Sequence, residues 1–119
     1  GMRDDPFTGL RRMHGGLDIA ARRGEKVRAT ADGRVIHTGV DANYGRFVEI
    51  DHENGYRTRY GHLSAITIKR YTRLKRGDII GLVGNTGRAS GYHLHYEVYR
   101  NDRVIDPTSY FFPEQRVVD

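Results

Sequence analysis

The stretch Tyr92-His-Leu-His-Tyr-Glu-Val-Tyr99 decides how this chain is expected to fold. Its aromatic and β-branched residues favour a strand, whose side chains alternate between two faces. One face carries Leu94, Tyr96 and Val98, and the other carries His93, His95, Glu97 and Tyr99. Two imidazoles two positions apart share a face only in an extended backbone, because on a helix they would diverge by about 200°. The sequence therefore predicts a strand that presents two histidines side by side.

The rest of the chain is divided by fifteen glycines and by turn dipeptides into pieces that are too short for helices. The clearest hairpin joins 46–52 to 56–62 across Asn54-Gly55. Strict alternation in its second arm would place His62 on the face of Thr58 and Tyr60. Two further hairpins are expected, 26–30 with 34–38 and the His-x-His strand with 103–105. We predict an all-β fold of antiparallel strands, a sandwich or barrel-like hybrid, with a groove that holds the functional site.

The length of 119 residues fits one compact domain with one core, so we assign residues 1–119 to a single domain. Residues 1–13 are expected to form an irregular N-terminal arm laid over the core. Residues 108–119 are expected to form a C-terminal tail, with Phe111 and Phe112 packed on the sheet. No apolar run approaches the roughly 18 residues of a membrane span, and no signal peptide is visible. We therefore interpret the chain as an excised or processed domain.

The net charge is +5, from 20 basic and 15 acidic side chains, which favours an anionic partner. Nucleic acid and an anionic cell-wall or envelope polymer are both compatible with this charge. The densest basic run comprises Lys69, Arg70, Arg73, Lys75 and Arg76. Because no aromatic platform of an RNA-binding sheet accompanies it, we interpret this run as a solvated edge and expect no nucleic-acid partner.

The histidines point to a metal site built from nitrogen and oxygen ligands. The chain has no cysteine, so thiolate ligands are excluded. In an extended backbone His14 and Asp18 fall on one face, which gives a second pair beside His93 and His95. A catalytic zinc site needs three such ligands and one open position, and His14, Asp18 and one of the His-x-His pair would supply them. The remaining imidazoles, with His62, would then be free to move protons.

Three motifs in this order carry a resemblance to a known family: His14-x-x-x-Asp18, Tyr60-Gly-His-Leu-Ser64 and His93-Leu-His-Tyr-Glu97. The set resembles the lysostaphin or LytM-type zinc metallopeptidases that cut peptidoglycan peptides. The likeness runs from Asp5-Pro-Phe to Asp106-Pro107 and includes Gly16-Leu-Asp-Ile-Ala, Tyr44-Gly and Gly84-Asn-Thr-Gly. It covers nearly the whole chain.

The resemblance implies a role for each matched residue. His14, Asp18 and His95 correspond to zinc ligands, and His62 and His93 correspond to the two catalytic histidines. We expect His93 to act as general base, and His62 to donate to the developing oxyanion or to the leaving amine. Glu97 either orients a ligand imidazole or lies at the surface as a solvated carboxylate.

Departures and the remaining histidines do not alter the chemistry that the resemblance implies. Tyr92 stands where the family often has proline, which affects one wall of the substrate groove. His52, beside the hairpin turn, and His37, alone on a strand, are interpreted as structural residues.

The leading hypothesis is a zinc endopeptidase that hydrolyses peptide cross-links or stem peptides of bacterial peptidoglycan. The alternative is a non-catalytic envelope module that binds or activates another cell-wall hydrolase. Degenerate members of the family lose ligands, whereas this chain keeps all five functional positions. The resemblance also implies a periplasmic or extracellular location in the cell envelope, where other hydrolases or envelope proteins are possible partners. The basic surface favours bonds between D-alanine and diaminopimelate over glycine bridges.

Overall fold

The structure is a computed structural model that describes residues 3–5, 10–13, 16–87, 91–106 and 117–118. Within these ranges it contains strands and turns and no helix. The strands are β1 (Arg3–Asp5), β2 (Leu10–Met13), β3 (Gly16–Ala20), β4 (Lys26–Arg28), β5 (Gly33–Asp41), β6 (Gly45–Asp51), β7 (Tyr56–Ile66), β8 (Arg73–Leu74), β9 (Ile79–Val83), β10 (His93–Arg100) and β11 (Arg103–Ile105). The prediction of an all-β, antiparallel fold is confirmed. Across the same residues, no helix has the length and apolar character needed to cross a membrane.

The strands form one branched antiparallel sheet with the order β1-β2-β3-β10-β7-β6-β5-β8. The two predicted hairpins β6–β7 and β10–β11 are present, and they turn at Asn54-Gly55 and at Asn101-Asp102. All four turn residues have positive φ, as tight hairpin turns require. Strand β10 lies between β3 and β7, so the His-x-His strand occupies the interior of the sheet.

Strand β4 does not pair with β5, so the predicted hairpin of 26–30 with 34–38 is wrong. Instead β4 pairs with β9, and β5 pairs with β6 and β8. A two-residue turn signal is local, whereas strand pairing is decided by which apolar faces can be buried together. Val27 and Val35, on the two strands, are both fully buried within the same core.

The N-terminal arm is the second correction to the sequence analysis. Residues 3–5 and 10–13 are not irregular, because β1 pairs with β2 and β2 pairs with β3. These strands cover what would otherwise be an open edge of β3, where unpaired backbone groups are unfavourable. Of the C-terminal tail, Val118 forms a bridge with Val27, while Phe111 and Phe112 lie outside the described residues. Assignment of 1–119 to one domain stays a prediction.

The core lies on the face of β10 that carries Leu94, Tyr96 and Val98, and all three side chains are buried. Its polar centre is the Thr30 hydroxyl, which lies 3.0 Å from the Tyr60 hydroxyl and 2.9 Å from the Tyr96 hydroxyl. Because these side chains are packed into the core, they fix which face of β10 points inward. The histidines of β10 therefore project from the opposite face.

Candidate active site

Strands β3 and β10 bring Asp18 and His95 directly opposite each other. Asp18 Oδ1 lies 2.8 Å from His95 Nδ1 and 3.6 Å from His93 Nε2. The two side chains are shielded from solvent, with 13% of Asp18 and 10% of His95 exposed. One carboxylate oxygen thus faces both imidazoles of the His-x-His pair, because all three residues share one face of neighbouring strands.

His62 joins this group from β7. Its ring centroid lies 4.9 Å from that of His93, in an edge-to-face arrangement, and 5.9 Å from that of His95. The side chain is buried, with 6% exposed. The structure therefore gathers four of the five predicted site residues around one point: Asp18, His62, His93 and His95.

A bulge in β7 turns His62 toward the site, and this corrects the predicted face of that residue. Tyr60 faces the core and its ring packs against Tyr96, whereas His62 contacts the histidines of the opposite face. The register against β6 shifts between Arg46 and Val48, and His62 has φ 63°. Such a bulge interrupts the alternation of side chains. Non-glycine residues with positive φ are uncommon and concentrate at functional sites, although histidine tolerates the conformation better than most residues.

Two loops hold His62 in this strained conformation. Its backbone N–H donates to the Tyr44 carbonyl at 2.6 Å, and its ring Nδ1–H donates to the Thr86 carbonyl at 2.6 Å. The Thr86 hydroxyl in turn donates to the Leu63 carbonyl at 2.7 Å and accepts from the Arg46 N–H at 3.0 Å. The loops are therefore tied to β6 and β7 on both sides of the bulge.

Glycines allow these two loops to approach closely. Gly45 and Gly87 both have positive φ, and a Cβ on Gly45 would collide with Thr86 and with the Gly87 backbone. A Cβ on Gly87 would likewise collide with the Gly45 backbone. Glycine permits both the conformation and the contact, which explains the Tyr44-Gly and Asn-Thr-Gly motifs in physical terms.

The charge states follow from these contacts. Burial lowers the pKa of His62 and outweighs the Thr86 carbonyl, which raises it, so the ring is neutral near pH 7. Burial alone would also lower the pKa of His95. Hydrogen bonds to Asp18 and Glu97 outweigh that effect and raise the pKa of His95 to about 9. Burial would raise the pKa of Asp18, but His95 holds it below its usual range.

A metal ion fits the donor chemistry of this pair. Both ring nitrogens of His95 face carboxylate oxygens, Nδ1 toward Asp18 and Nε2 toward Glu97, so the metal-free ring carries two protons. A cation between Nδ1 and Asp18 would replace one of those protons, as metal binding to histidine requires. Within the described ranges no group of three His, Asp or Glu side chains is arranged to hold a metal ion. His14, the third predicted ligand, lies outside the described residues.

The two histidines interpreted as structural lie away from this group. His52 Nδ1 is 2.7 Å from the Asp32 carbonyl and its Nε2 is 2.6 Å from Thr58 Oγ, so it links a turn to β7. His37 Nδ1 lies 3.1 Å from Glu49 Oε1, with half of its side chain exposed.

Sequence reasoning gave no role to three residues that shape the site: Tyr44, Thr86 and Arg59. Tyr44 and Thr86 fall in motifs that the resemblance had singled out, which was the available signal. Arg59, on β7, carried no such signal. It lies over the rings of Tyr44 and Tyr99, with its Cζ 4.8 and 5.3 Å from their centroids.

Comparison with known proteins agrees with the geometry. Peptidase family M23 matches residues 12–107, which is most of the chain. The chain belongs to peptidase family M23. A curated relative, the DD-carboxypeptidase/endopeptidase Mpg of Neisseria meningitidis serogroup B, is 42% identical over 113 residues, covering 95% of this chain and 26% of Mpg. The M23 chain thus spans about a quarter of the length of the curated relatives it matches.

Two solved structures share the fold. A zinc-containing peptidase from Vibrio cholerae has a TM-score of 0.77 and 40% identity, covering 89% of this chain and 34% of that one. The catalytic domain of lysostaphin from Staphylococcus simulans also has a TM-score of 0.77, with 30% identity, covering 82% of this chain and 78% of that domain. The Vibrio cholerae neighbour is described as containing zinc.

Proposed function

We propose that this M23 chain is the catalytic domain of a zinc endopeptidase that hydrolyses peptide cross-links or stem peptides of bacterial peptidoglycan. The observation that carries the proposal is the convergence of Asp18 and His95 Nδ1 with the rings of His62 and His93 beside them. The residues proposed to hold zinc thus lie beside the residues proposed to transfer protons, and the two sets are different. The named activities of the relatives favour DD-endopeptidase action in the cell envelope.

His14, Asp18 and His95 are the residues that we propose to hold zinc. Two neutral imidazoles and one carboxylate would leave a net charge of about +1 and an open fourth position, which suits a catalytic zinc site. When bound, zinc would polarise the scissile carbonyl and lower the pKa of water in the site. Asp18 is suited to this role because it stays ionised despite burial.

The tautomer of His62 suggests a division of labour that differs from the expectation based on sequence. Because Nδ1–H donates to the Thr86 carbonyl, the neutral ring has its lone pair at Nε2. Neutral His62 can therefore accept a proton at Nε2 but cannot donate a hydrogen bond from that atom to an oxyanion. We propose that His62 acts as the base and then passes its proton to the leaving amine. His93 is then the donor toward the carbonyl oxygen of the substrate.

Zinc analysis and peptidoglycan digestion on single variants test the function. His62→Ala and His93→Ala should retain zinc and lose hydrolysis by roughly two to four orders of magnitude, the usual contribution of positioned acid–base groups. Asp18→Ala and His95→Ala should lose tight zinc binding as well. His37→Ala is the matched control, since this half-exposed histidine lies outside the site and should change neither readout.

The alternative function has a distinct outcome. A wild-type chain that binds sacculi but releases no muropeptides at saturating zinc would identify a non-catalytic envelope module. The role assignment is tested by replacement with glutamate. His62→Glu should recover more activity over His62→Ala than His93→Glu recovers over His93→Ala, because a carboxylate can accept a proton but opposes an oxyanion. If His93→Glu recovered more activity than His62→Glu, the assignment expected from sequence, with His93 as the base, would be supported instead.

A further inference from the structure

Glu97 lies on the far side of His95 from Asp18. The two residues are two positions apart on one face of β10, and Glu97 Oε2 accepts a hydrogen bond from His95 Nε2 at 2.9 Å. Only 4% of Glu97 is exposed, so the alternative of a solvated surface carboxylate is wrong. A single imidazole is therefore held at both nitrogens, and only Nδ1 faces the metal-binding side.

Two tyrosine hydroxyls fix the carboxylate of Glu97. Tyr99 donates to Oε1 at 2.7 Å, and the Tyr44 hydroxyl lies 3.1 Å from Oε2. The backbone of β3 closes the site from another side, because a Cβ on Gly16 would lie 3.0 Å from Glu97 Cγ and 2.8 Å from His95 Cε1. These contacts restrict rotation of the carboxylate and of the imidazole together.

Arg59 leaves the charge of Glu97 available to His95. Its Nε and Nη2 lie 2.9 and 2.6 Å from Glu49 Oε2, on β6, whereas its Nη1 lies 3.6 Å from Glu97 Oε1. The guanidinium thus makes its close ion pair with Glu49 and only a longer contact with Glu97. The short ion contact of Glu97 is instead with His95, whose Nε2 lies 2.9 Å from Glu97 Oε2, so the buried carboxylate is directed at the imidazole and not at the guanidinium.

We propose that Glu97 is a positioning residue for the zinc ligand His95. By accepting the Nε2 proton it would fix the tautomer that offers Nδ1 to the metal and would hold the ring plane in place. The tyrosine hydroxyls and Arg59 would keep the carboxylate in that orientation. This inference rests on the proposed function, since it requires that His95 binds zinc.

Zinc affinity, measured by competition with a chromophoric chelator, tests the inference without an activity assay. Glu97→Ala should weaken zinc binding by about 10- to 100-fold, the usual effect of removing the carboxylate behind a ligand histidine. Glu97→Gln should weaken it less, because the amide oxygen can still accept from Nε2. In the zinc-loaded protein, nitrogen-15 NMR should show the proton of His95 at Nε2 in the wild type. In Glu97→Ala the nitrogen-15 resonances of the His95 ring should differ from those of the wild type.

Asp51→Asn is the control. Asp51 is a carboxylate of the same sheet, at the end of β6, and its Oδ1 accepts from the Glu53 N–H in the hairpin turn. It is opposite neither zinc ligand in the strand pairing, so its replacement should leave zinc affinity unchanged. If Glu97→Ala does not fold, Glu97→Gln and Tyr99→Phe carry the test, and both should still weaken zinc binding. Wild-type affinity in Glu97→Ala, or in both of those substitutes, would overturn the inference alone. Absence of zinc binding by the wild type would overturn the proposed function and, with it, this inference.

Discussion

Gly16 offers a steric test of the site that leaves every proposed zinc ligand in place. It opens β3 two residues before Asp18, and a Cβ built on it would lie 2.8 Å from His95 Cε1 and 3.0 Å from His95 Nε2. Nonpolar atoms prefer separations of about 3.5–4.0 Å, so Gly16→Ala requires a shift of roughly half an ångström or more. The His95 ring cannot yield freely, because both of its nitrogens are hydrogen-bonded to carboxylates.

The magnitude follows from packing and from the unfolded chain. Overpacking of this kind costs about 1–3 kcal/mol. Alanine lowers the conformational entropy of the unfolded state and offsets about 0.4–1 kcal/mol of that cost. We therefore expect Gly16→Ala to lose about 1–2 kcal/mol of unfolding free energy in urea denaturation. Displacement of the His95 ring, a proposed zinc ligand, should also reduce kcat/KM by about tenfold or more.

Gly39→Ala is the control for Gly16→Ala. Gly39 also lies within a strand, but a Cβ there would be 3.4 Å from the nearest ring atoms of Phe47. This variant should keep the zinc affinity and the hydrolytic rate of the wild type. Equal zinc affinity and equal hydrolysis in the Gly16 and Gly39 variants would refute the view that β3 packs against the ligand ring.

Three further predictions concern stability. Thr30→Val should lower the unfolding free energy by about 1–3 kcal/mol, because the buried Tyr60 and Tyr96 hydroxyls lose a shared hydrogen-bond partner. Zinc affinity should not change. Urea denaturation identical to that of the wild type would contradict this prediction. Burial lowers the pKa of His52 in the folded chain, so the unfolded chain binds more protons as the pH falls. The stability that His52 contributes is therefore present above pH 6.5 and is lost as the pH falls below that value. Wild type should therefore lose more stability than His52→Gln between pH 7 and pH 5, and parallel profiles would argue against the effect. Zinc at 100 times its Kd should add about 2.7 kcal/mol, so a chelator should lower the Tm of wild type but not of Asp18→Ala.

Local patterns predicted the parts of the fold that depend on local geometry. Alternation along 92–99 correctly separated the core face from the histidine face, and the Asn54-Gly55 and Asn101-Asp102 turns marked two hairpins. The same reasoning failed for His62, where strict alternation predicted the face of Tyr60. A bulge reverses the face of every later residue in a strand, and a period of two contains no information about where one occurs.

The sequence by itself determined which donor types the candidate site can offer. Histidine and carboxylate in the absence of cysteine, with the extended His93-x-His95 pair, restrict the site to imidazole and carboxylate donors whatever the strand order. Only the tertiary structure decided which neighbouring groups form hydrogen bonds with those donor side chains. The sequence alone was equally compatible with a solvated Glu97. In the structure, the pairing of β10 with β3 and β7 buries Glu97 against His95. The tautomer of His62 likewise depends on the Thr86 carbonyl, 24 residues away in the chain. Hydrogen-bond partners and burial are properties of packed surfaces brought together from distant segments, so local sequence patterns do not specify them.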